Sequence, residues 1–236
     1  MLKNDAIFIK GGDVMNNYCI LRFGKIKSLA AISAAERHGK IENRKYIKTI
    51  SHPELTKQNF IEYKYPDISL VNAFKKETEN IKVRKNSVML VETIFTFSPE
   101  SSYLIKGKEK LWYDASINWL KKVFPDAPIL LSRLEYDEST THMHVYFVPL
   151  IKKDGNIKLS CKELLGNKYQ LHDLQTSYAM DMSKFGLERG KSYLDIKEEN
   201  FKKPYHKTLK EYYREINNEN DIYEDLFERI EHEKQK

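Results

Sequence analysis

The sequence is poor in cysteine and has no long apolar run. Cys19 and Cys161 are its only two cysteines among 236 residues. Because they lie far apart, no disulfide framework is predicted, and a reducing compartment, the cytoplasm, is expected. No apolar run reaches the roughly 20 residues that span a bilayer, and the first residues lack the apolar core of a signal peptide. Neither secretion nor membrane insertion is therefore expected.

Charge is present in both signs, with a small positive excess. Charged residues make up 31% and hydrophobic residues 41% of the chain, which is enough for a soluble protein with a substantial core. Lysine and arginine number 40 against 34 aspartates and glutamates, giving a formal charge of +6 and a pI near 9.0. This excess permits a polyanionic partner but does not require one.

Strand-like and helix-like segments alternate and predict an α+β fold, with helices packed on an antiparallel central sheet. Alternating or β-branched runs predict strands over 18–23, 87–97, 129–135, 145–149 and 157–159. Apolar residues at helical spacing predict helices over 28–37, 69–81, 108–124 and 170–185. Trp112 and Trp119 are expected in the core. The predicted organisation is one domain over 1–206 and a charged helical extension over 207–236, expected to begin a longer region.

The stretch 135–144, Glu-Tyr-Asp-Glu-Ser-Thr-Thr-His-Met-His, carries the strongest functional signal. It leads directly into a β-branched and aromatic strand. Alternate side chains of a strand share a face, so His142 and His144 would stand about 7 Å apart on one side. A hairpin turning at 136–141 would bring Glu135 opposite this pair. Two nitrogens, one carboxylate and open positions suit Mn²⁺, Mg²⁺ or another divalent Lewis acid.

A solvated acidic turn is the alternative explanation of this stretch. It accounts for Asp137 and Glu138, which are polar residues in a short connection. It does not account for the two histidines at the next alternate strand positions. Metal binding is therefore the favoured interpretation.

Residues 43–66 combine lysine and arginine with aromatic rings. Single-stranded nucleic acid is bound by this combination, because cations contact phosphates and rings stack on bases. The alternative is an ordinary basic loop, which composition alone favours.

Two motifs give the chain a specific resemblance. His142-Met143-His144 on a strand resembles the histidine–hydrophobe–histidine unit of HUH endonucleases, which nick and rejoin single-stranded DNA. The string 137–144, running into Val148-Pro149, is similar to the third motif of the MobV-type (Pre/Mob) plasmid relaxases, roughly His-x-Asp-Glu-x-Thr-Pro-His-x-His. Glu135 stands where that family has its leading histidine, and Thr141 stands where it has proline.

The resemblance extends over about residues 15–215. Residues 34–38 look like the family's first motif, in which a basic residue precedes the nucleophilic histidine, although Gly39 stands where asparagine is usual. Further segments resemble parts of the family's pattern, namely 83–88, 185–190 and 206–208.

The resemblance implies an HUH relaxase-like fold and metal-dependent, site-specific nicking and rejoining of single-stranded DNA at a plasmid transfer origin. Such activity serves conjugative mobilisation or plasmid recombination. The resemblance also implies that His38 is the nucleophile, forming a covalent 5′-phosphate–histidine intermediate, and Glu138 is our candidate for fixing its tautomer. The metal, Mn²⁺ ahead of Mg²⁺, would be held by Glu135, His142 and His144.

The basic, aromatic stretch and the resemblance together predict a DNA-binding surface. Its expected residues are Arg37, Arg44, Lys45, Tyr46, Arg84, Lys85, Arg189 and Lys191. The expected partners are single-stranded or hairpin DNA of a plasmid transfer origin, the coupling protein of a conjugative system, and a second copy joined through a region beyond residue 236.

Two other functions stay open at this point. A replication initiator or transposase would share the metal motif but use a tyrosine nucleophile such as Tyr178, and Tyr46 is the runner-up to His38 within a relaxase. A DNA-binding module that has lost catalysis would explain the departures at Glu135 and Gly39. Metal-dependent nicking separates the module from the enzymes, and the chemistry of the protein–DNA adduct separates histidine from tyrosine.

Overall fold

The structure is a computed structural model that describes residues 17–47, 50–190, 192 and 194. Residues 1–190 group into one compact unit and residues 191–236 into another. The predicted boundary at 206/207 and the charged extension over 207–236 lie outside the described residues.

The described part of the first unit alternates strands and helices, as predicted. The strands are β1 (Tyr18–Ile26), β2 (Phe60–Tyr63), β3 (Leu90–Phe97), β4 (Ile129–Glu135), β5 (His142–Phe147), β6 (Leu150–Lys153), β7 (Asn156–Leu159) and β8 (Glu188–Arg189). The α-helices are α1 (Leu29–Gly39), α2 (Ile41–Arg44), α3 (Leu70–Glu77), α4 (Ser102–Ile105), α5 (Glu109–Val123), α6 (Cys161–Leu165) and α7 (Lys168–Met182), with 3₁₀ turns at Pro53–Gln58, Pro99–Ser101 and Ser183–Phe185. Within the described ranges, no helix combines the length and apolar character needed to cross a membrane.

Six strands form one sheet in the order β2-β4-β5-β3-β1-β8, and β6 pairs with β7 in a separate hairpin. Neighbours in the large sheet are antiparallel except β8, which runs parallel to β1 at the edge. The α+β prediction is confirmed, and the difference is a mixed sheet in place of a purely antiparallel one. The sequence does not predict β8 as a strand, because two residues are too few to show strand alternation.

Helices pack on both faces of this sheet. On one face, α5 and α7 contribute Trp112, Trp119 and Tyr178 to a large buried cluster with β1, β3 and β5. This confirms the two tryptophans as core residues. On the other face, Ile32 of α1 lies in a second buried cluster with α3 and with Tyr146 of β5.

Helix α1 carries the predicted nucleophile. It begins after Ser28, whose hydroxyl accepts the Ala31 N–H at 3.2 Å, and its four alanines favour the helix. The helix continues to Gly39, two residues beyond the predicted end. His38 therefore occupies the last helical turn.

The β4–β5 hairpin carries the predicted metal ligands. Its register pairs Glu135 with His142 and Arg133 with His144. Since side chains alternate along each strand, these four residues share one face of the sheet. The hairpin thus places Glu135 beside the histidines, as the sequence predicts.

Candidate functional site

A candidate metal site lies where β4 and β5 meet. Ligand atoms of Glu135, His142 and His144 all lie within 4.8 Å of one another. The Nε2 atom of His142 is 3.3 Å from Oε2 of Glu135, and the two imidazole centroids are 5.0 Å apart. Three ligand atoms at this spacing can close on one divalent cation and leave positions open for substrate oxygens.

Acceptors hold both histidines in the same tautomer. Nδ1 of His142 lies 2.9 Å from the Thr140 carbonyl oxygen, and Nδ1 of His144 lies 2.8 Å from Oε1 of Glu92. Nδ1 therefore donates in each ring, which leaves the Nε2 lone pair for a metal ion. Sequence reasoning missed Glu92. Its available signal is the single charged residue of a largely apolar strand, where an ionised group needs a partner.

Arg44 is buried among carboxylates of the β4–β5 connection. Its Nη1 donates to Oε2 of Glu135 at 3.0 Å, and its Nε donates to Oδ2 of Asp137 at 3.0 Å. Its Nη2 donates to Oδ1 of Asp137 and lies 3.4 Å from Oε1 of Glu138. The side chain is only 2% exposed. The expectation that Arg44 contacts DNA is corrected: in sequence it belongs to a polar, basic stretch, but the fold places it beneath the hairpin.

The charges around the site fit a divalent cation. Burial alone would raise the pKa of three carboxylates, but hydrogen bonds and neighbouring cations outweigh burial and lower the pKa of Glu92, Glu135 and Asp137. Glu138 adds a fourth carboxylate, and the buried guanidiniums of Arg44 and Arg133 face this group. Four carboxylates against two guanidiniums leave two negative charges, which one divalent cation neutralises.

A second set of ligand atoms, from His38, Glu135 and Glu138, also lies within 4.8 Å. Arg44 already approaches both carboxylates of this set, at 3.0 and 3.4 Å. A cation placed there would meet the guanidinium, so Glu135 with the histidine pair is the better metal site.

His38 faces the candidate metal site from the last turn of α1. Its ring centroid is 6.4 Å from that of His144, and its Nε2 lies 4.0 Å from Oε1 of Glu138. The three histidines and Glu138 line one open cleft of about 370 Å³. Partial burial and, after it, the charge of Arg133 lower the pKa of His38, which favours the neutral imidazole. The side chain is 41% exposed and so accessible from the cleft.

A family model described as plasmid recombination enzyme, Mob_Pre, matches residues 15–214 of this chain. The chain belongs to the Mob_Pre family. The matched range contains the histidine pair, the acidic connection and His38, and it confirms the resemblance to MobV-type relaxases.

Several Mob_Pre relatives show the extent of the similarity. The 65 kDa protein of Zymomonas mobilis is 31% identical over 182 residues, which are 75% of this chain and 30% of that protein. The plasmid recombination enzyme of Bacillus thuringiensis is 25% identical over 186 residues, covering 75% of this chain and 40% of the relative. A type 3 plasmid recombination enzyme of Staphylococcus aureus is 27% identical over 194 residues, covering 75% and 44%. This chain thus spans less than half the length of these relatives.

The fold matches that of a solved Mob_Pre domain. The MobM relaxase domain, bound to plasmid pMV158 oriT DNA in a Mn-bound crystal structure at pH 4.6, has a TM-score of 0.65 and 25% identity, covering 84% of this chain and 99% of that domain. Its Mn-bound crystal structure at pH 5.5 also gives a TM-score of 0.65, with 23% identity, 84% of this chain and 98% of that domain. The predicted HUH relaxase-like fold is confirmed.

Five of the expected DNA-contacting residues of this Mob_Pre chain lie at the surface. Arg37 is exposed on the last turn of α1, one residue before His38. Lys45 and Tyr46 are exposed directly after α2, with Nζ of the lysine 5.0 Å from the centre of the tyrosine ring. Arg84 and Lys85 are exposed in the turn before β3. All five remain accessible to phosphates or bases.

Arg189 is placed differently from these five. It is half-buried on β8, where its Nη2 donates to Oε1 of Gln175 at 2.9 Å and its Nη1 donates to the Gly190 carbonyl oxygen at 3.1 Å. The guanidinium therefore binds helix α7 in this conformation rather than facing solvent. Lys191 lies outside the described residues, as do residues 206–208.

Neither Tyr178 nor Tyr46, the two tyrosines considered as nucleophiles, lines the cleft that His38 lines. Tyr178 is fully buried, with its hydroxyl 3.0 Å from Oγ of Ser116, so it is a core residue and cannot meet DNA without unfolding α7. Tyr46 is 75% exposed, but it is not among the residues that line the cleft shared by His38 and the histidine pair.

Proposed function

We propose that this chain is a DNA relaxase: a nuclease and strand transferase that nicks and rejoins single-stranded DNA at a plasmid transfer origin. The observation that carries the proposal is that His38, Glu138 and the histidine pair line one open cleft. A tyrosine-dependent initiator or transposase is disfavoured because Tyr178 is buried. A decayed binding module is disfavoured because the site keeps a nucleophile, an orienting carboxylate and a set of metal ligands.

The proposed metal is Mn²⁺, which the related MobM crystal structures contain. Glu135, His142 and His144 would hold it. A bound divalent ion would act as a Lewis acid and withdraw charge from the non-bridging oxygens of the scissile phosphate. The carboxylate makes the ligand set harder than three imidazoles, which suits Mn²⁺ or Mg²⁺.

His38 acts as the nucleophile in this proposal. With Nε2–H directed at Glu138, the lone pair on Nδ1 attacks phosphorus. A P–N bond forms while the bond from phosphorus to the 3′-oxygen breaks, and the departing oxygen takes a proton from solvent. The imidazole becomes a cation when it attacks. Glu138, at 4.0 Å, stabilises that cation and holds the tautomer once its side chain rotates into hydrogen-bond distance. Rejoining reverses these steps.

The DNA would be held by cations around the cleft. Arg37, Lys45, Arg84 and Lys85 are proposed phosphate contacts, and Tyr46 is a proposed stacking surface for a base. The substrate would be single-stranded or hairpin DNA of a plasmid transfer origin, and the MobM crystals contain plasmid oriT DNA of 22 nt. We include in the proposal a cytoplasmic location, a coupling protein and a second copy of the chain as partners.

The proposal is tested by trapping the covalent adduct. The purified chain is incubated with Mn²⁺ and a random-sequence single-stranded oligonucleotide library, and the protein–DNA adduct is isolated on a denaturing gel and sequenced. We expect an adduct that EDTA abolishes and that mild acid cleaves, because a phosphoramidate to histidine is acid-labile. Sequencing its attached 5′ ends identifies the nick site.

Two variants assign the nucleophile in the same assay. His38→Ala should form no adduct yet still bind DNA, since one imidazole supplies little of the phosphate affinity. Tyr46→Phe is the matched control and should form the adduct nearly normally. An acid-stable adduct that persists in His38→Ala and disappears in Tyr46→Phe would overturn the assignment.

A further inference from the structure

Arg133 is a buried arginine at the centre of the β4–β5 hairpin, 1% exposed. Its Nη1 donates to the carbonyl oxygen of Ala35 in helix α1 at 3.2 Å. Its Nη2 donates to the hydroxyl of Tyr146 at 2.9 Å. Its Nε lies 3.3 Å from Oε1 of Glu135, as an ion pair without hydrogen-bond alignment. One guanidinium thus contacts helix α1, which carries His38, and both strands of the β4–β5 hairpin, called the metal hairpin below because it carries the candidate metal ligands.

The contact with Tyr146 continues to a candidate metal ligand. The Tyr146 hydroxyl donates to Oε1 of Glu92 at 2.6 Å, and the same oxygen accepts from Nδ1 of His144 at 2.8 Å. The Tyr146 ring also lies nearly parallel to the His144 ring, at 6.2 Å between centroids. A continuous chain of hydrogen bonds therefore runs from helix α1 through Arg133 to His144.

Gly39 gives Arg133 the space that it occupies. A Cβ atom at position 39 would lie 1.8 Å from Nη1, 2.4 Å from Cδ and 2.6 Å from Cζ of Arg133. Atoms cannot approach so closely, so any other residue at position 39 would displace the guanidinium. Gly39 directly follows His38, and its backbone is not in the left-handed region. Steric space, not conformational freedom, explains this glycine.

We propose that Arg133 and Gly39 form a positioning pair that fixes the helix bearing His38 against the metal hairpin. The pair requires both members: a side chain at 39 expels the guanidinium, and loss of the guanidinium removes the link between helix and hairpin. The inference rests on the proposed function for its role in catalysis. It also gives Gly39 a structural reason, so that its departure from the MobV-type pattern does not mark a decayed site.

A purely local role for Arg133, as counter-ion of Glu135, is the competing explanation. Arg44 already donates to Glu135 at 3.0 Å, so that carboxylate has a buried cation without Arg133. The contact with Ala35 would not matter if charge balance were the only role. The two explanations therefore differ in whether a change at 39 or 133 slows adduct formation while the charge at Glu135 stays balanced.

A double-mutant cycle with Gly39→Ala and Arg133→Ala tests the pair, first by urea unfolding without metal or DNA. In the wild-type background, Gly39→Ala should lower the urea midpoint because it expels a buried guanidinium. In the Arg133→Ala background, the same change should raise the midpoint, since alanine has the higher helix propensity and its obstacle is gone. Gly190→Ala is the control, because its Cβ would meet Tyr18 at an ordinary 3.6 Å.

Kinetics test the positioning role. Gly39→Ala should slow adduct formation by on the order of a hundredfold at saturating DNA, as expected for a nucleophile displaced by about 1 Å. The KM for DNA should change less than the rate, because three of the four proposed phosphate contacts, Lys45, Arg84 and Lys85, lie outside helix α1. The double variant should be no slower than Arg133→Ala alone. If the reductions in adduct rate of the two single variants multiply in the double variant, the proposal that the two residues act as a pair is wrong.

Arg133→Lys keeps the inference testable if an alanine variant fails to fold. Lysine retains the charge and much of the length but cannot donate to both Ala35 and Tyr146 from one planar fork while also pairing with Glu135. We expect it to fold and to bind Mn²⁺ within threefold of the wild type by electron paramagnetic resonance, yet to lose most of its adduct rate. Adduct formation at the wild-type rate in Arg133→Lys would show that Arg133 acts only as a counter-ion and would refute the positioning role.

The outcomes also separate this inference from the proposed function. The unfolding measurements need no nuclease activity. If the wild-type protein is inactive, but Gly39→Ala lowers the urea midpoint in the wild-type background and raises it in the Arg133→Ala background, the pair is supported and the relaxase function is rejected. An active wild-type protein with the same midpoint shift in both backgrounds would reject the pair alone.

Discussion

Replacing Arg44 by methionine should destabilise the fold without weakening the binding of phosphates. The guanidinium is buried and hydrogen-bonded to Glu135 and Asp137. Removing one partner of a buried ion pair costs about 3–5 kcal/mol, because the remaining charge stays desolvated. Two remaining interactions moderate the effect: the Thr56 hydroxyl still donates to Asp137 at 2.8 Å, and Arg133 still faces Glu135. We therefore expect a destabilisation near the lower bound, about 3 kcal/mol.

Urea unfolding and salt titration of DNA affinity measure the two consequences separately. If the same variant is unfolded by heat, about 3 kcal/mol corresponds to a fall of roughly 6–12 °C in Tm for a domain of this size. The slope of log affinity against log salt should not change in Arg44→Met. Lys45→Met is the matched control at the adjacent exposed position. It should change stability by less than about 0.5 kcal/mol but reduce the slope by about 0.7, the contribution of one phosphate on a single strand.

The opposite pattern would refute this reasoning. If Arg44→Met costs less than about 1 kcal/mol and flattens the salt dependence, then Arg44 faces DNA in solution and the buried network is not formed. A large destabilisation with an unchanged slope would support the corrected role of Arg44 as the cation beneath the acidic connection.

Three further predictions concern the metal and the DNA. Replacing His142 and His144 together by alanine should abolish Mn²⁺ binding and Mn²⁺-dependent adduct formation while the protein stays folded by circular dichroism; unchanged cleavage would reject the metal site. Glu92→Gln should weaken Mn²⁺ affinity about 10–100-fold, because it weakens the hydrogen bond that orients His144, and DNA affinity without metal serves as the control. Replacing Arg84 and Lys85 by glutamine should lower the salt slope by about 0.7 for each phosphate that these side chains neutralise in the wild type, and an unchanged slope would remove this turn from the DNA interface.

The sequence predicts the metal hairpin well because its signal is local. Alternation brings His142 and His144 to one face, and a short polar connection requires the chain to reverse before them. The observed pairing of Glu135 with His142 follows from these two facts. The long helices and the core tryptophans are likewise predicted from spacing within a single segment.

The residues that sequence analysis misassigned or missed depend on contacts between distant segments. Arg44 lies in a stretch whose composition is typical of an exposed loop, and only the tertiary fold places it against Asp137, 93 residues away. Glu92 and Arg133 join the site through strand register, which no single segment encodes. Strand β2 is missed for a different reason: it has four residues at a sheet edge, too few to show alternation.

The carboxylate at position 135 is best understood together with its two arginines. A neutral histidine there would remove the one carboxylate that the described residues place within 4.0 Å of Arg133, whereas Arg44 would keep Asp137 and Glu138. Glu135 accepts from Arg44 and pairs with Arg133, and the space above Gly39 admits Arg133. The departures at Gly39 and Glu135 are therefore linked through Arg133, which lies against both residues. The same carboxylate keeps Oε2 3.3 Å from Nε2 of His142, so Glu135 adds a negative charge to the candidate metal site while staying beside its histidines.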